Sequence, residues 1–236
     1  MKKGDVMEYL IVANWKANLS PRQIEEWVER FLKGYQPIAE HRVVLAVPVL
    51  VIERVQRRLD GASGVSLAAQ GVSPFPTGSY TGATPAAWLA DTADYALLGH
   101  NERRKYFRES PQEVAAQLRE CVAAGITPIL CTTREQAGGQ VAALESEEIE
   151  KVILAYTPED AEHLEKAGSL ENVAQVAAEF GRFAPGQSVL YGGGVHRDNC
   201  EELLQVDGIS GLLVGRGSLD PEAFLALLRN MTSKKE

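Results

Sequence analysis

The chain is poor in the features that would assign it at a glance. It has three cysteines in 236 residues, aromatics make up 7%, and 24 Lys+Arg stand against 32 Asp+Glu for a net charge of −8. Cys121, Cys131 and Cys200 are odd in number and widely spaced. That excludes a disulfide framework or a metal knuckle and suits a reducing compartment. The longest basic cluster, Arg103-Arg104-Lys105, is too short for a polyanion surface, so no nucleic-acid partner is expected. No stretch approaches about 18 consecutive apolar residues, so no membrane-spanning helix is expected. The opening Met1-Lys2-Lys3-Gly4-Asp5 is charged, and no apolar signal region or small-residue cleavage site follows it, which reads as cytoplasmic. Histidines 41, 100, 163 and 196 do not cluster with acids at ligand spacing, and neither metal nor other cofactor is expected. With 45% hydrophobic and 24% charged residues, the composition excludes a disordered or low-complexity chain.

What is present is a regular alternation. Apolar, β-rich runs fall at Tyr9–Ala13, Arg42–Val47, Val65–Ala69, Tyr95–Gly99, Thr127–Cys131, Val152–Tyr156, Ser188–Gly192 and Gly211–Gly215. Helix starts lie between them. Ser20-Pro21-Arg22-Gln23 and Ser110-Pro111-Gln112-Glu113 each combine a hydroxyl N-cap, a proline at the first helical position and Gln or Glu at the third. Ser169-Leu170-Glu171 opens another helix and Ser218-Leu219-Asp220-Pro221 the last. Strands buried on both faces read as continuous apolar runs, as Leu10-Ile11-Val12-Ala13 does. Eight strand–helix units over residues 1–236, with no linker or repeat, predict an α/β protein of one domain, a (β/α)8 barrel. A doubly wound sheet would want a glycine-rich turn after the first strand, where this chain has Asn14-Trp15-Lys16.

In such a barrel the residues just past the strand ends form the site. After strand one come Asn14 and Lys16; after strand four, His100 and Glu102; after strand six, Thr157, Pro158, Glu159 and Asp160. After strand seven the chain runs Gly192-Gly193-Gly194, and after strand eight Gly215-Arg216-Gly217-Ser218. Bare glycine amides entering helix N-termini suit phosphate, and loops seven and eight are where barrels commonly hold one. A lysine at a barrel mouth must pair or bind an anion, and Glu102 is a candidate partner. Lysine and histidine together can polarise a carbonyl and stabilise a developing oxyanion.

These motifs resemble those of the triosephosphate isomerase family, in order from Asn14 to about Phe224. They are Asn14-Trp15-Lys16, Val72-Ser73-Pro74-Phe75 with Thr77-Gly78-Ser79-Tyr80-Thr81-Gly82, Gly99-His100-Asn101-Glu102-Arg103-Arg104, Tyr191-Gly192-Gly193-Gly194-Val195 and Gly211-Leu212-Leu213-Val214-Gly215. The resemblance implies a TIM barrel and isomerisation between aldose and ketose forms of a small sugar phosphate, glyceraldehyde 3-phosphate and dihydroxyacetone phosphate. In it Lys16 stabilises negative charge, neutral His100 polarises the carbonyl, Asn14 orients Lys16 or the substrate oxygen, and Glu102 sits beside Lys16. Gly193, Gly194, Gly215 and Arg216 would hold the phosphate. The 73–82 loop, with Thr77, Tyr80 and Thr81, implies a homodimer in which Thr81 approaches the partner's site. Ala83 stands where the family carries an acid, which removes an ion pair expected with Arg103.

The pattern breaks at strand six. The family reads Ala-Tyr-Glu-Pro, its glutamate being the catalytic base, whereas this chain reads Ala155-Tyr156-Thr157-Pro158. A threonine hydroxyl is too weak a base near neutral pH to replace a carboxylate. The lid that follows, Trp-Ala-Ile-Gly-Thr-Gly in the family, is Asp160-Ala161-Glu162-His163-Leu164-Glu165 here, and from Pro158 onward it reads as a short solvated helix with acids at its N-terminal end. Further on, the fifth-strand loop, Val-Gly-Glu in the family, is Thr132-Thr133-Arg134; Gly194 replaces a serine; and Arg216 replaces a glycine, where it either binds phosphate or fills its pocket. Three functions follow: an isomerase with a substitute base, Glu159 first and His163 second; a sugar-phosphate-binding or regulatory homologue that no longer isomerises; or the same barrel with a changed chemistry, such as a lyase or an isomerase for a differently charged substrate, which no residue names.

Overall fold

The apolar runs assemble into eight parallel strands that close on themselves. In a computed structural model, which describes residues 9–160 and 168–231, the strands are β1 Tyr9–Asn14, β2 His41–Val47, β3 Val65–Ala69, β4 Tyr95–Leu98, β5 Thr127–Thr132, β6 Ile153–Tyr156, β7 Val189–Tyr191 and β8 Gly211–Val214. Each neighbours the next in sequence, and β8 returns to β1 through the register Leu10↔Gly211 to Ala13↔Val214. The helices are α1 Pro21–Gly34, α2 Ile52–Leu59, α3 Asn101–Tyr106, α4 Pro111–Ala123, α5 Arg134–Val141, α6 Ser146–Ile149, α7 Leu170–Phe183, α8 Cys200–Leu204 and α9 Pro221–Asn230. This is the expected (β/α)8 barrel, with every strand end within one residue of its sequence reading.

Two packed layers hold it. Alternate strand residues point to the axis, and Val12, Ala46, Ala68, Leu97, Cys131, Ala155, Leu190 and Leu213 fill the interior. The other set faces the helices. There Trp27 of α1 stacks on Phe31 at 5.0 Å, tilts against Trp15 at 4.5 Å and donates its Nε1–H to the Ser218 carbonyl at 3.0 Å. That contact pins α1 across the β8–β1 closure. The capping boxes at Ser20 and Ser110 form as the sequence indicates, each with proline at the helix start. The final helix is capped instead by Asp220, whose side chain accepts from Ala223 N at 2.8 Å. Ser218 turns inward and donates to the Val214 and Gly215 carbonyls.

The alternation also dictates what floors the barrel mouth. Two residues beyond each interior position the same facing recurs, so Asn14, Gln70, Thr133, Thr157, Gly192 and Gly215 form the next layer above the apolar plug. Cys131 ends that plug, and burial pushes its thiol up to about 12, so it is packing and not a nucleophile. At the opposite end of the barrel, burial lowers the pKa of His41 and favours its neutral form.

Candidate active site

Lys16 is positioned by a strained backbone. Its φ is +54°, in the left-handed region that costs a side-chain-bearing residue on the order of 1 kcal/mol. Two interior-facing neighbours over-determine it. The Lys16 amide donates to Asn14 Oδ1 at 3.1 Å, and Gln70 Nε2 donates to the Lys16 carbonyl at 3.1 Å and to Ala46 O at 2.9 Å. The kink sends the side chain across the mouth to Glu102, Nζ to Oε1 at 2.5 Å. This is the partner the sequence indicated, and it brings Asn14, Lys16 and Glu102 together. Gln70 was not singled out from sequence. Its signal is a polar residue ending the apolar run of β3, but its role depends on a backbone angle that sequence does not display.

His100 caps α3. Its Nδ1 accepts from the Glu102 amide at 3.3 Å, and Glu102 Oε2 lies 3.6 Å away. With Nδ1 as acceptor, the neutral ring carries its proton on Nε2, which becomes its donor. The half-buried Arg104 fixes this corner by donating to Gly99 O at 2.7 Å and to Gln140 Oε1 at 3.0 Å. Gly99 itself sits at φ +62° with the Arg104 guanidinium where a Cβ would go, so only glycine fits before His100. Asn14, Lys16, Gln70, Leu97, His100 and Glu102 line a cleft of about 180 Å³, closed on one side by Arg103 and Phe107.

The other wall is made by strands five to eight. Thr157 is buried, its amide donating to Thr132 O at 2.9 Å and its hydroxyl to the same carbonyl at 3.4 Å. Gly192 opens space beside it: a Cβ there would lie 3.2 Å from Thr157 Cγ2. Gly193 is pressed against Pro158 and the Tyr191 hydroxyl, which accepts from Gly168 N at 2.9 Å. Gly194 has φ +58°. Gly215 packs by Lys16, a Cβ placed on it falling 4.0 Å from Lys16 Cε, and Arg216 is exposed at the rim. Glu159 is exposed in the turn after Pro158. His163 and most of the lid lie outside the described residues. On the fifth-strand loop, Arg134 pairs with Glu179 on α7. Arg103 pairs with Glu109 of its own chain at 2.9 Å.

A mouth with an ammonium, an imidazole N–H and two glycine turns on one barrel matches the family named from the motifs, and the comparisons decide it. The family model described as triosephosphate isomerase matches residues 9–231. The chain belongs to the triosephosphate isomerase family. It is 32% identical to the triosephosphate isomerase of Thermus thermophilus over 250 residues, covering 93% of this chain and 97% of that one. It is 33% identical to that of Streptococcus equi subsp. zooepidemicus, covering 93% and 96%. With that of Deinococcus radiodurans it shares 30% identity, covering 94% and 98%. The chain is therefore an isomerase-family barrel over nearly its whole length, and among the described residues no helix is long and apolar enough to cross a membrane.

Proposed function

We propose that this protein binds a small phosphorylated sugar at the barrel mouth and does not isomerise it at the rate of its family. One observation carries the reading: at the end of β6 the residue facing the site is Thr157, whose hydroxyl is directed to a backbone carbonyl. Proton abstraction from carbon needs a group whose pKa lies near the working pH, and a bonded hydroxyl does not supply it. The charge-binding half is intact. Lys16 and the Nε2–H of His100 would polarise the carbonyl, Asn14 and Gln70 would hold Lys16 in place, and Gly193, Gly194, Gly215 and Arg216 would take the phosphate. Exposed Glu159 is a solvated acid on this reading.

The protein acts as a homodimer. Phe75 and Tyr80 stack at 4.5 Å in the 73–82 loop, with Thr77 and Thr81 exposed beside them. Phe107, 71% exposed, lines a groove together with Phe75, apolar surface that a second copy would cover. A groove of about 550 Å³ between this loop and Arg103, Phe107 and Glu109 would accept the partner's loop. Sedimentation at the mass of two chains is expected, and a monomer at micromolar concentration would refute this arrangement.

Binding is tested by melting. A saturating excess of dihydroxyacetone phosphate is expected to raise the Tm of the wild type by about 5–10 °C through mass action. In Lys16→Met, checked for native circular dichroism, the shift is expected to vanish. An equal shift in both proteins, or none in the wild type, would contradict the proposal.

A further inference from the structure

Arg104 carries a charge that no acid offsets at contact distance. Its Nε donates to Gly99 O at 2.7 Å, and its Nη2 donates to Gln140 Oε1 at 3.0 Å and to Cys131 O at 3.4 Å. All three acceptors are neutral, and among the described residues no carboxylate pairs with it. Burial lowers its pKa, while the Cys131 thiol and Glu109 act the other way through space. A half-buried charge without an ion partner is costly and calls for an explanation. Gln140 sharpens the point. It is buried, and its Nε2 donates to Pro111 O at 3.0 Å, which leaves Oε1 for Arg104. A glutamate at that position would set an acid against the guanidinium; this chain sets an amide there.

The place of the charge supplies the explanation. Gly99 O belongs to the peptide that enters His100, and a Cβ on Gly99 would lie 2.5 Å from Arg104 Nη2. The guanidinium therefore rests against the strand end that carries the imidazole. His100 also faces Glu102, whose Oε2 is 3.6 Å from Nδ1 and favours a charged ring. Lys16 pairs with that acid, Arg103 is matched by Glu109 at 2.9 Å, and Cys131, its thiol pushed up to about 12, is neutral. Arg104 is the unmatched charge of this corner. We propose that Arg104 is a positioning residue whose unmatched charge keeps His100 neutral, with its proton on Nε2, against the pull of Glu102. The proposal rests on the reading above, in which the Nε2–H meets the ligand carbonyl. A second ring proton would go to Nδ1, which accepts from the Glu102 amide, and would break the bond that orients the ring.

The test is NMR titration of the ring-15N-labelled protein without ligand, the His100 signals being assigned by their loss in His100→Ala. The wild-type ring is expected to be neutral at pH 7 with its proton on Nε2. Two changes cancel the charge by separate routes. Arg104→Gln removes it and Gln140→Glu gives it an acid, and each is expected to move the His100 titration up by about half a pH unit to one. Arg104→Lys keeps the charge without the fork and is expected to stay within about 0.2 pH units of wild type. Gln140→Glu leaves Arg104 in place, which keeps the test open if Arg104→Gln fails to fold. A titration unmoved by both charge-cancelling variants, or moved as far by Arg104→Lys as by Arg104→Gln, would overturn the proposal. With no ligand in the sample the result is independent of what the mouth binds. A missing melting shift with dihydroxyacetone phosphate strikes the sugar-phosphate reading, whereas an unmoved ring strikes the role of Arg104 alone.

Discussion

Thr157→Glu is expected to turn the purified protein into a measurable isomerase, with glyceraldehyde 3-phosphate turnover on the order of 100-fold above the unmodified chain. The reasoning follows the barrel alternation. Ala155 points to the axis, so residue 157 does too, and Gly192 beside it has no side chain to block a longer one. The hydroxyl given up makes a 3.4 Å bond, long for O–H···O and worth little. A positioned general base contributes about 100- to 10,000-fold, and the low end applies because the family's lid sequence is not restored along with it. Thr157→Gln, which matches the size without the carboxylate, serves as the control. A glutamate variant no faster than the glutamine variant would mean that more than the base has been lost from the site.

Gly211→Ala is expected to cost the fold at least about 3 kcal/mol, lowering Tm by about 6–12 °C. Gly211 is the first residue of β8 and pairs with both Leu10 and Leu190. A Cβ built there lies 2.0 Å from the Leu10 carbonyl oxygen and 2.8 Å from Leu190 Cδ2. The oxygen belongs to the backbone of β1 and cannot rotate away, so β8 would have to part from β1 where the barrel closes. Gly139→Ala is the matched comparison. It sits within α5 with nothing within 4 Å of its would-be Cβ, and alanine there is expected to be neutral or to stabilise by up to about 1 kcal/mol. Melting of Gly211→Ala within about 2 °C of wild type would refute the closure argument.

The barrel was legible because parallel strands covered by helices are apolar on both faces, and runs such as Leu10–Ala13 have few other uses. Helix starts were legible where the cap chemistry is local, as at Ser20 and Ser110. The start of α9 was legible in Ser218-Leu219-Asp220-Pro221, and its cap is Asp220, because the Ser218 hydroxyl is bonded to the Val214 and Gly215 carbonyls just before it. The Lys16–Glu102 pair could be named from strand-end positions alone. Gln70 could not, since its task is to clamp a left-handed Lys16 backbone 54 residues away.

The central claim is that the charge-binding half of the site has outlived the base. It is tested most directly by turnover of glyceraldehyde 3-phosphate by the purified protein, run beside His100→Ala prepared identically. The account predicts no rate above background in either sample, any host isomerase contributing equally to both. Turnover that disappears with His100 would contradict it and would place a working base elsewhere in the mouth, with Glu159→Gln the variant to examine next.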